Sequence, residues 1–70
     1  MGFTMKAARA LKNLTQQQTA ELMGISRGYY GKMENGEVEM KPYHIYAFCC
    51  VTGINVNDFI LPVKFTKSEP

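Results

Sequence analysis

Apolar residues recur along this chain at spacings of three and four, not two, so the pattern predicts helices rather than strands. Residues 4–13 place Met5, Ala8 and Leu11 on one face, with Ala7 beside them, and put Lys6, Arg9 and Lys12 largely on others. That is an amphipathic helix. A second helix opens at Thr15, where Thr15-Gln16-Gln17-Gln18 fits a capping box. Leu14 is placed to staple against Thr19. Thr19, Ala20, Leu22 and Met23 form the predicted inner face, and Gly24 stops the helix. Ser26 caps a third helix, residues 27–34, which ends at the turn signal Asn35-Gly36. Pro42 suits the first position of a fourth, strongly apolar helix that closes at Gly53 and is the expected centre of the core. Asn55 caps a short fifth helix over residues 56–60, with Asp58 near its positive end. Leu61-Pro62 ends it, and residues 62–70 form a tail that either frays or contributes to a dimer. Because Met5 is itself a possible start codon, residues 1–4 read as a dispensable extension.

Seventy residues make one small domain, and an apolar fraction of 46% is ordinary for a globular fold. The most apolar stretch, around residues 43–51, is too short to span a membrane and contains His44. Nothing at the start resembles a signal peptide. A cytoplasmic protein without membrane attachment is expected. Cys49 and Cys50 are neighbours, so a disulfide between them would be strained and would staple nothing; they read as reduced packing residues. His44 is the single histidine, no Cys/His metal set exists, and no role is assigned to it. No catalytic constellation, phosphate-cradling loop or cofactor motif is present, so neither enzymatic activity, a cofactor nor a metal is expected. Charge is uneven: residues 1–33 carry five cations against Glu21, while residues 34–70 carry three against five carboxylates. A basic end suits contact with a polyanion.

The informative segment is residues 15–36. Two short helices meet through a glycine turn, with the small Ala20 at their crossing and Ile25, Tyr30 and Met33 placed to bury against the first of them. This is the design that presents one helix to a major groove. Gln16-Gln17, the run from Ala20 to Arg27, and Met33-Glu34-Asn35-Gly36 resemble the phage-repressor-like Cro/C1-type (XRE) helix-turn-helix family. Pro42, Gly53-Ile54-Asn55-Val56 and Asp58-Phe59-Ile60 continue the likeness, which covers roughly residues 5–61. The resemblance implies an all-α, five-helix, lambda-repressor-like bundle over residues 1–61, with the third helix reading DNA. The chain departs from the pattern at Tyr30, where the family usually carries a small β-branched residue, and at Glu37, often basic. It also carries Gly28 and Gly31 inside the third helix, each costing roughly 1 kcal/mol of helix propensity relative to Ala.

On a wheel of the third helix, Tyr30 and Met33 face inward, and Arg27, Gly28, Gly31 and Lys32 occupy the opposite arc, with Tyr29 beside them. Arg27 is the first candidate for base reading, because arginine on guanine is the commonest specific contact. Lys32 reaches a base edge or a phosphate. Tyr29 meets a thymine methyl or a phosphate, or packs at the core edge. Gly28 and Gly31 let the backbone sit close to the bases. The resemblance assigns Gln16 a phosphate contact. Gln17, Asn35 and Lys41 join it as backbone contacts that set register. It also pairs Arg9 with Glu34 as a structural ion pair.

The expected function is a sequence-specific transcriptional regulator, a repressor of phage or mobile-element type. It binds double-stranded DNA at an inverted-repeat operator as a homodimer. No small-molecule effector is expected. Phe59, Leu61, Val63 and Phe65 are the expected dimer surface. The competing reading is an antitoxin-like or phage accessory protein acting mainly through a protein partner, for which Glu37, Glu39 and the acidic second half speak.

Overall fold

The structure, a computed structural model, describes residues 2–62. It contains four α-helices: α1 (Met5–Leu11), α2 (Gln16–Met23), α3 (Arg27–Glu34) and α4 (Pro42–Thr52), followed by one 3₁₀ turn, Val56–Asp58. Local chemistry sets the boundaries. Thr4 caps α1 by accepting from the Ala7 N–H. Thr15 and Gln18 close a reciprocal capping box on α2. The Ser26 hydroxyl accepts from the Tyr29 N–H to start α3, and Pro42 takes the first turn of α4. Gly24 terminates α2 at φ +76, and the Ile25 N–H donates back to the Ala20 carbonyl. A left-handed residue is what allows two helices to be joined by so short a turn.

The core holds Met5, Ala8, Ala20, Tyr30, Met33, Met40 and Phe48. Ala20 is fully buried where α2 packs on α3 and α4, and its methyl permits that close approach. Each buried polar side chain makes a hydrogen bond to the backbone. Thr19 and Thr52 donate to the carbonyls of Thr15 and Phe48, and Nδ1 of His44 accepts from the Lys41 N–H.

Several sequence expectations change. Leu11 and Leu22, assigned inward, are 62% and 63% exposed. α1 stops at Leu11 instead of running to Asn13, which adopts φ +56, so Leu11 sits at a helix end. The inward arc of α2 runs through Thr19, Ala20 and Met23, one step away from Leu22. Ala7 is exposed as well.

The fifth helix is a single 3₁₀ turn, because Phe59 is extended (φ −81, ψ 130) and bridges Phe3. The Phe3 N–H donates to the Asp58 carbonyl at 2.7 Å and the Ile60 N–H to the Phe3 carbonyl at 2.8 Å. The Phe59 ring lies 5.5 Å from that of Phe48. Residues 2–4, expected to be a dispensable extension, are instead tied into the fold. They cap α1, pair with the segment after the 3₁₀ turn, and set Phe3 against the core.

Candidate nucleic-acid interface

α3 is held by its inner face and offers its outer one. Tyr30 and Met33 are fully buried, while Arg27, Gly28 and Lys32 are exposed. Tyr29 lies between, half-buried against the core with its ring 5.6 Å from His44. Gly31 is buried. Beyond its own helix backbone and chain neighbours, the heavy atoms nearest to where its Cβ would sit are Arg27 Nη1 at 3.5 Å and Gln16 Oε1 at 3.8 Å. Of the five positions expected at the bases, Gly31 thus lies beneath its neighbours' side chains.

Behind α3, the Glu34 carboxylate gathers donors from three helices. Arg9 approaches it through Nε and Nη2, both at 3.0 Å, in a two-pronged pair. Gln16 Nε2 donates at 2.8 Å and the Tyr30 hydroxyl at 2.9 Å. Arg9 also donates through Nη1 to the Leu14 carbonyl, which ties down the α1–α2 loop. Burial on its own pushes the Glu34 carboxyl up, but the bonds from Arg9, Gln16 and Tyr30 outweigh it and hold the group below the usual glutamate range. Burial, reinforced by Glu34, pushes the Tyr30 hydroxyl well above the ordinary tyrosine range. The hydrogen bond to Glu34 raises the Arg9 guanidinium in turn.

The remaining expected backbone contacts divide. Gln16 and Asn35 line one groove together with Thr4, Lys6, Arg9 and residues 60–62. Gln17 bonds Glu21 instead, and Asn35 caps the end of α3 while donating to Glu37 at 3.2 Å. Lys41 lies outside that groove, exposed at the start of α4. Sequence reasoning missed two participants. Lys6 reaches the groove from one turn before Arg9 on α1. Tyr30 spends its hydroxyl on Glu34 four residues later, a helical spacing visible in the sequence.

Among the described residues, no cluster of His, Cys, Asp or Glu could hold a metal ion, and no helix is long and apolar enough to cross a membrane. Cys49 and Cys50 are free thiols; Cys49 is buried, and burial pushes its thiol up.

No curated protein matches the sequence. The family model described as helix-turn-helix matches residues 5–59, spanning α1 through the 3₁₀ turn. With that match over most of its length, the chain belongs to the Cro/C1-type helix-turn-helix family of DNA-binding regulators.

Proposed function

We propose that this protein is a sequence-specific transcriptional repressor that inserts α3 into the major groove of an inverted-repeat operator. The observation that carries the reading is the division of α3 itself. Tyr30 and Met33 root it in the core, and Arg27, Gly28 and Lys32 stand clear of the body. Arg27 lies at the N-terminal end of α3, where its guanidinium suits the two acceptors on a guanine edge. Lys32, one turn later, serves a base or a phosphate. The N-terminal turn of α2, with Gln16 and Gln17, and the groove bearing Lys6 and Asn35 take the flanking phosphates, fixing register.

Operator binding as a homodimer remains part of this reading, with repression in the cytoplasm and no effector ligand. Of the expected dimer surface, Leu61 is 44% exposed, whereas Phe59 packs against Phe48 and Phe3 and has little left to offer a partner. Val63 and Phe65 lie outside the described residues.

Selection of bound duplexes from a random pool tests the proposal. The expected product is a palindromic consensus containing a guanine that Arg27→Ala ceases to select. Recovery of unrelated sequences, together with undiminished binding at high salt, would refute it and favour the protein-partner reading, because phosphate contacts weaken steeply with salt.

A further inference from the structure

His44 is the one histidine of the chain, and it is buried, with 6% of its surface exposed. It stands in the first turn of α4, where its Nδ1 accepts the Lys41 N–H at 3.1 Å, the returning half of a capping box. A ring that accepts through Nδ1 carries its proton on Nε2 and is neutral. Two aromatic rings lie against it. Tyr43, its neighbour on α4, is 4.4 Å away, and Tyr29, at the edge of the exposed arc of α3, is 5.6 Å away. The imidazole therefore joins the start of α4 to the helix that presents Arg27 and Lys32. The titratable groups that face it are these two tyrosines, with the exposed Lys41 at the cap. Among the described residues the one ion pair is Arg9–Glu34, so no carboxylate pairs with the imidazole.

A second proton changes this joint. Imidazolium has two donors and no acceptor, so the Lys41 N–H loses its partner. The new charge also stands in the first turn of a helix, where the dipole favours anions, and in a buried place where an unpaired charge is costly. The ring relieves both by leaving its seat, and Tyr29 then loses the surface it rests on.

We propose that neutral His44 is a positioning residue for DNA binding: it holds Tyr29 at the border of the reading face of α3, and its protonation releases the operator. The inference rests on the DNA-binding reading above. Histidine is the side chain that ordinarily changes charge between about pH 5 and 8. The sign is distinctive. A protein that gains positive charge in acid ordinarily binds a polyanion more tightly, whereas this device loosens it.

The test is operator affinity by fluorescence anisotropy at fixed salt from about pH 8 to about pH 5.5, with the His44 ring signal followed by NMR in the same buffers. As the single histidine, it needs no assignment. Wild-type affinity is expected to fall about fivefold or more, under the tenfold per pH unit that one linked proton allows, and in step with the ring signal. His44→Gln keeps an acceptor for the Lys41 N–H, as Gln18 does for Thr15 on α2, and takes up no proton. It is expected to bind like the wild type in the alkaline buffer and to hold that affinity in acid. Tyr29→Ala is expected to bind more weakly in the alkaline buffer and to lose the acid response. Wild-type affinity that stays level or rises in acid overturns the proposal. So does a fall shared by His44→Gln, a fall that Tyr29→Ala retains in full, or a ring titration out of step with binding. The wild-type measurements decide even where a variant does not fold. A wild type that prefers no duplex in the alkaline buffer refutes the DNA reading itself, whereas preference without the acid response refutes the role of His44 alone.

Discussion

Glu34 shows how much one side chain organises. It accepts from Arg9, Gln16 and Tyr30, so α1, α2 and α3 converge on a single carboxylate whose side chain is 9% exposed. Its pKa is depressed in the folded state. Its ionised form therefore stabilises the fold above the ordinary glutamate range, and that contribution is lost as pH falls through the folded value. Tyr30 is shifted the opposite way, with the protonated form favoured. Its contribution is intact below pH 10, the ordinary tyrosine value, and declines as pH rises above it. Tyr30→Phe is expected to cost about 2 kcal/mol near neutral pH, the scale of a hydrogen bond to a charged group, and to flatten the loss of stability above pH 10. Urea unfolding from pH 3 to 11 measures both, and an unaltered alkaline limb would contradict the arrangement. The Arg9–Glu34 pairing was implied by family resemblance, but the partnership with Tyr30 was not foreseen. The four-residue spacing from Tyr30 to Glu34 was visible in the sequence, but assigning the tyrosine to the core by periodicity did not reveal that its hydroxyl reaches forward to the carboxylate on the next turn.

Among the elements, those governed by local chemistry were the most legible. Thr15, Ser26, Gly24, Pro42 and Gly53 mark helix ends through bonds and φ values that involve only near neighbours. The terminal pairing was not legible, because Phe3 and Phe59 are far apart in sequence and neither lies in an alternating pattern that signals a strand. The same pairing replaced the expected fifth helix with one turn of 3₁₀. It makes residues 2–4 a structural element. Deleting them removes the Thr4 cap, worth about 1 kcal/mol, together with two backbone bonds and the Phe3 contact. We expect a total loss of about 3 kcal/mol, which lowers the melting temperature by roughly 12–24 °C in a domain of this size. Thr4→Ala alone is expected to give about a third of that loss. Calorimetry of the two variants separates the contributions, and a deletion variant that melts with the wild type would restore the view of these residues as dispensable.

For the whole molecule, the charge asymmetry of the sequence acquires a location. Lys6 and Arg9 of α1 line a groove beside Gln16 and Asn35, while Arg27 and Lys32 stand on α3. Exposed apolar and aromatic groups are spread more widely: Leu11 on α1, Leu22 on α2, Tyr43 and Tyr46 on α4, Val56 on the 3₁₀ turn, and Ile60 and Leu61 in the groove itself. Tyr43, Tyr46 and Val56 lie on elements other than α3, so a partner bound there and a duplex bound on α3 would mark different residues. Amide chemical-shift mapping during titration with the selected operator duplex distinguishes them most directly. The largest changes are predicted at Arg27, Gly28 and Lys32, with smaller ones at Gln16 and Gln17. Changes confined to Tyr43, Tyr46 and Val56, with α3 silent, would contradict the account.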